Sequence, residues 1–64
     1  MITLGQALQP RYLGDGVYVQ VDAEDSTRII VTTGSHIMPD ADNVVYLELS
    51  VIMGLKRFIS DYVE

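Results

Sequence analysis

Three groups of residues in this 64-residue chain are of types that do chemistry. His36, the only histidine, stands beside Ser35 and shortly before Asp40, the residue types of a nucleophilic triad or a metal site. Asp22, Glu24 and Asp25, and separately Asp40 and Asp42, bring carboxylate oxygens together in sequence, as a hard cation such as calcium requires. Gly14-Asp15-Gly16 sets a carboxylate between two glycines, where an unhindered backbone can present it to a ligand or approach a phosphate.

Each group also has a plainer reading, and the plainer reading is the stronger one. Triads and metal centres need several groups converging in a pocket. His36 instead falls in a Pro39-containing stretch with loop composition, where a solvated side chain is the ordinary outcome. The acids lack the order of a calcium loop, with its central glycine and closing glutamate. Gly-Asp-Gly has no third glycine and leads into a strand rather than a helix, so it is not a dinucleotide fingerprint; aspartate there bonds to nearby backbone N–H groups in a turn. No catalytic residue, metal site or cofactor is expected, and the chain reads as non-enzymatic.

Composition narrows the partners. Nine acids face four bases, for a formal charge of -5. Such a surface repels phosphate backbones, so direct binding to nucleic acid is not expected and a basic protein suits the charge better. With no cysteine there are no disulfides and no thiolate chemistry, which fits a reducing compartment. Neither a basic leader nor a long apolar stretch is visible at the start, so a soluble protein without a membrane span is expected. A core of this size is only marginally sufficient, and 48% hydrophobic residues is high for so short a chain. Self-association as a homodimer is the expected remedy.

The elements that must position these residues follow from periodicity. Residues 1–11 alternate weakly and are expected to form an arm or a short extra strand. The run Tyr12-Leu13-Gly14-Asp15-Gly16-Val17-Tyr18 reads as a turn that launches a strand in which Val17, Val19 and Val21 share one face and Tyr18, Gln20 and Asp22 the other. After a polar turn over residues 23–27, the β-branched run from Arg28 to Thr33 predicts an antiparallel partner strand. Residues 35–42 form a loop, and 43–47 a third strand, apolar on both sides. From residue 48 to 64 the period lengthens: Val51, Ile52, Leu55, Phe58, Ile59 and Tyr62 make one helical stripe, with Gly54 inside it as a position of close approach to the sheet or to a partner helix. The whole is one α+β domain, a three-stranded antiparallel meander over 12–47 with a C-terminal helix packed on the sheet.

The tyrosines are the better lead to function, because tyrosine offers a large amphipathic surface at low entropic cost. Tyr18, opposite the valines of its strand, is the first candidate for an exposed anchor, with Tyr12 and Asp15 beside it; Tyr46 and Tyr62 are expected to complete the core. Met53 and Phe58 on the helix join the candidate interface as surplus apolar residues that invite a symmetric mate.

The Tyr12–Tyr18 word, a strand ending in Asp22, a second strand, a third of the type Val45-Tyr46-Leu47-Glu48 and a terminal helix together resemble a group of small, mostly uncharacterised bacteriophage and prophage proteins. The resemblance spans residues 12–63. This chain departs from it at Leu49, where those proteins often carry proline, and in the longer connection over 34–42. It implies a viral origin and no established activity. The resulting expectation is a phage accessory protein of the host cytoplasm that binds a host defence or regulatory protein, the alternative being a structural or assembly component of the virion.

Overall fold

A computed structural model describes residues 1–63. Its architecture is α+β, as expected, with a four-stranded antiparallel sheet in the order β1-β2-β3-β4. Chain order is α1 (Leu4–Ala7), β1 (Arg11–Gly14), β2 (Val17–Asp22), β3 (Asp25–Thr33), a 3₁₀ turn (Met38–Asp40), β4 (Asn43–Glu48) and α2 (Leu49–Val63).

The expected meander of three strands gains a fourth at its start. Asp15 (φ 55°) and Gly16 (φ 78°) both adopt the left-handed conformation, the signature of a two-residue turn whose twist matches that of the flanking strands. The residues before the turn therefore pair with those after it, Tyr12 opposite Tyr18 and Gly14 opposite Val17, with an irregularity at Leu13. The Tyr-Leu-Gly-Asp-Gly-Val-Tyr word is a hairpin end rather than only the start of a strand. A second tight turn, Ala23-Glu24, sets Asp22 opposite Asp25, so β3 begins earlier than the expected Arg28.

Residues 1–11 form neither an arm nor a strand until Arg11. Thr3 caps a one-turn helix instead: its Oγ1 accepts from Gln6 N–H at 3.2 Å, and Gln6 Oε1 accepts from Thr3 N–H at 2.9 Å. This reciprocal pair satisfies donors that a helix start leaves free, which outweighs a weak strand alternation.

Cross-strand register divides the sheet into two faces. One carries Tyr12, Tyr18, Gln20, Ile30, Thr32, Val44 and Tyr46. Here lie the three buried side chains, Ile30, Thr32 and Asp22, at 3%, 2% and 5% exposure. The other face carries Val17, Val19, Val21, Ile29, Val31, Val45 and Leu47. It is half-buried at most, although α1 leans over its Val19–Val21–Ile29 corner.

α2 departs most from expectation. The apolar stripe is present, yet no α2 residue is buried and only Ile52 is half-buried; Phe58 is 66% and Tyr62 83% exposed. Packing of the helix on its own sheet is therefore not what the chain does. The reason is local: β4 ends at Glu48 and α2 begins at Leu49, with no residue between to turn the chain back. Connections that fold a helix onto its own sheet take about 2–6 residues. Gly54 is correspondingly not approached, since a Cβ there would meet nothing within 4 Å. The expected Glu64 end of the helix lies outside the described residues.

The consequence is measurable as surface. The chain exposes 5082 Å², whereas a folded monomer of its mass would expose about 4100 Å². The Cα radius of gyration is 12.3 Å, against about 10.7 Å for a compact domain of this length. About 1000 Å² is thus left uncovered relative to an ordinary small domain.

Two glycines should respond in opposite directions. Gly34 has φ +84°, and a Cβ there would lie 2.6 Å from Asp42 Oδ2, so Gly34→Ala is expected to cost about 1–2 kcal/mol. Gly54→Ala meets open space and removes a flexible residue from a helix, so it should stabilise by about 1 kcal/mol. Denaturant titration of both variants reads the two signs directly.

Candidate recognition surface

The sheet has two chemically different ends. At the hairpin-turn end, Gly34 N–H donates to Gly16 O at 2.8 Å, tying the β1–β2 turn to the start of the 34–42 loop. Gly16 N–H also donates to Tyr12 Oη at 3.1 Å, which folds the Tyr12 ring back along its own hairpin. Asp42 N–H donates to Thr33 O at 2.8 Å and Asn43 Nδ2 to Thr33 Oγ1 at 3.0 Å, closing the loop onto β3. These bonds hold a run of three rings. Tyr12 and Tyr18 lie 5.1 Å apart between centroids at an interplanar angle of 53°, and His36 meets the Tyr18 ring edge-on at 5.6 Å.

Of the residues singled out from sequence, Tyr12, Tyr18 and Asp15 are brought together here. Their ranking changes, however: Tyr12 is 58% exposed, while Tyr18 is half-buried between its two ring neighbours. Tyr12 is the ring that solvent reaches, and Tyr18 lies against it. The reason is that β1 lies beside β2 and its Tyr12 ring covers Tyr18 from one side. His36 is exposed on its loop, as expected, but its ring belongs to the aromatic run.

Met53 and Phe58 sit on α2, which leaves the opposite end of the sheet. Phe58 stacks on Tyr62 one turn later, with centroids 6.5 Å apart and planes 11° from parallel. Met53, at about 100° per residue, falls on the polar side of the helix, away from the Val51–Leu55–Phe58–Tyr62 row. Tyr46 and Tyr62, expected in the core, are both exposed, because β4 is an edge strand and α2 stands off the sheet.

A second polar centre was not foreseen. Arg28 donates to Asp22 Oδ2 from Nε at 2.8 Å and from Nη2 at 2.5 Å, while Glu24 N–H donates to Asp22 Oδ1 at 2.9 Å. The Arg28 guanidinium also lies over the Tyr46 ring, 4.9 Å from its centroid. The signal available in sequence was the hairpin itself, which sets residues 22 and 28 on facing strands. The Glu24 N–H bond, then the Arg28 contact, holds the Asp22 carboxyl below its ordinary value of 3.8. The Asp22 bond in turn raises Arg28, and Asp25 is lowered by the Thr27 hydroxyl and then the Thr27 N–H.

These partners decide what the acids can do. Asp22 and Asp25 are already occupied by donors, and among the described residues no three His, Asp or Glu side chains gather around one point as an ion would require. An open concavity of about 360 Å³ is lined by Gln20, Asp22, Arg28, Ile30 and Tyr46 among others, and the Asp22 and Arg28 charges in it are paired with each other. No helix among the described residues is long and apolar enough to cross a membrane. Compared with protein-family models, curated proteins and solved structures, the chain matches none.

Acid should expose the role of the Asp22 centre. A carboxyl whose value is lower in the folded state contributes in full above its ordinary value, and that contribution disappears as the pH falls through the lowered one. Wild type should therefore lose stability as the pH drops below about 4, Asp22 and Asp25 both contributing with this sign. Asp22→Asn should be less stable at neutral pH and show a shallower fall in acid, as read by thermal melts at several pH values.

Proposed function

We propose that this chain is a non-enzymatic bacteriophage accessory protein of the host cytoplasm that acts by stoichiometric binding to another protein, a host defence or regulatory factor with a basic surface. The observation that carries this reading is the ring run Tyr12–Tyr18–His36 with Asp15 at the adjacent turn, held by the Gly34–Gly16 and Gly16–Tyr12 bonds. Aromatic side chains positioned by a hydrogen-bonded scaffold offer contact area without much ordering cost. Their exposed faces suit arginine and lysine, which the overall charge of -5 also attracts. The resemblance of the Tyr12–Tyr18 word to small phage and prophage proteins supports the viral setting. The same reading includes self-association, supported by the large uncovered apolar surface at the opposite end of the molecule.

The test compares recovery from a bacterial lysate by wild type and by a Tyr12→Ser/His36→Ser variant, both positions being exposed. A protein recovered by wild type and lost at least about tenfold with the variant, equivalent to about 1.4 kcal/mol, supports the reading. Recovery of nothing above background, or of proteins indifferent to the substitutions, counts against it. Finding the chain in purified virions by mass spectrometry would favour a structural role instead.

A further inference from the structure

Two apolar surfaces of this chain lack a partner, and their shapes match. One is the α2 stripe of Val51, Leu55, Phe58, Ile59 and Tyr62, all at least half exposed. The other is the part of the valine face that α1 does not reach, Val17, Val31, Val45 and Leu47 across β2, β3 and β4. A 15-residue helix extends about 22 Å, and six-residue strands such as β2 and β4 about 20 Å. A helix would cover such a sheet, yet the direct Glu48–Leu49 junction sends this chain's own helix away.

We propose that α2 packs on the valine face of a second copy of this chain, whose α2 packs in return on the first, giving a two-fold dimer by helix exchange. The inference rests on the self-association reading above and specifies its geometry. Three observations point to a second copy as the occupant. The uncovered surface, about 1000 Å² per chain, is the amount that a stable dimer interface removes from each partner, about 800 Å². A 15-residue helix with no buried residue, no acid in its first turn and no base in its last is marginal in water without packing. The valine face is the missing half of the α+β sandwich that the sequence pattern describes. Exchange supplies it with the same contacts a folded-back helix would have made, across a two-fold axis, as a junction too short to reverse the chain demands.

The absence of cysteine makes the arrangement directly readable. Sedimentation of wild type should give twice the 7.1 kDa chain mass at about 100 µM. Val31→Cys and Ile59→Cys are made separately and together, and oxidised. Helix exchange predicts that a mixture of the two single variants forms a cross-linked dimer, that neither single variant does so alone, and that the double variant migrates mostly as a dimer. Val45→Cys with Leu55→Cys, both at exposed positions, repeats the experiment should the first pair fold poorly. A monomer in sedimentation overturns the inference together with the self-association reading. Four results leave self-association standing and overturn the exchange: a wild-type dimer in which Ile59→Cys alone cross-links, meaning helix against helix; one in which Val45→Cys alone does, meaning strand edge against strand edge; a double variant that closes within one chain; or no cross-link from either pair. Inserting a six-residue Gly/Ser linker between Glu48 and Leu49 should convert the dimer to a monomer, and a linker variant that stays dimeric counts against exchange.

Discussion

The junction between Glu48 and Leu49 is the constraint on which the rest of this molecule depends. β4 passes into α2 with no residue between them, and α2 stays exposed along its length instead of lying on the sheet. Every unusual feature of the fold follows from that. Ile30 is the only hydrophobic side chain among the described residues that is buried; one face of the sheet is capped only at a corner, and an amphipathic helix points its apolar side into water. For a chain with no disulfide, this is a shortage of burial that its own elements do not make good.

What order the monomer has is supplied largely by hydrogen bonds at the two ends of the sheet. At one end Asp22, Arg28 and the Glu24 N–H close the β2–β3 hairpin, with Tyr46 beneath the guanidinium. At the other, Gly16 and Gly34 join the first turn to the long loop, and the three rings of Tyr12, Tyr18 and His36 lie over that connection. The two ends differ in what they offer a partner. The turn end presents polar-edged aromatic rings beside acids; the other end carries the Asp22–Arg28 pair and, beyond it on α2, an exposed apolar stripe that includes Phe58 and Tyr62. The two proposed roles, binding of a foreign protein and self-association, do not draw on the same residues.

Much of this was legible without coordinates, where a periodicity or a turn had only one outcome. The alternation of Val17, Val19 and Val21 placed β2, the β-branched run to Thr33 placed β3, and the stripe from Val51 to Tyr62 placed α2 to within a residue of its start. The first hairpin is legible in principle from Asp15-Gly16, but the short run Arg11–Gly14 before that turn has no alternation strong enough to mark it as a strand. The Thr3–Gln6 capping box rests on two residues three apart, a signal too short to outweigh the weak alternation around it. The aromatic run was half legible: Tyr12 and Tyr18 could be singled out by type, but their order of exposure depended on β1, and His36 joined them only because the loop over 34–42 returns to the turn.

By itself the sequence determined the local conformations, because dihedral preferences and the spacing of apolar residues act over a few neighbouring positions. Only the tertiary structure decided which surface stays open, which tyrosines solvent reaches, and that Asp22 and Asp25 are committed to internal donors. Those outcomes depend on the direction in which one element leaves another. A period of two followed by a period of 3.6 says that a strand precedes a helix, but the angle between them is set by the residues at the joint, and here there are none to bend it.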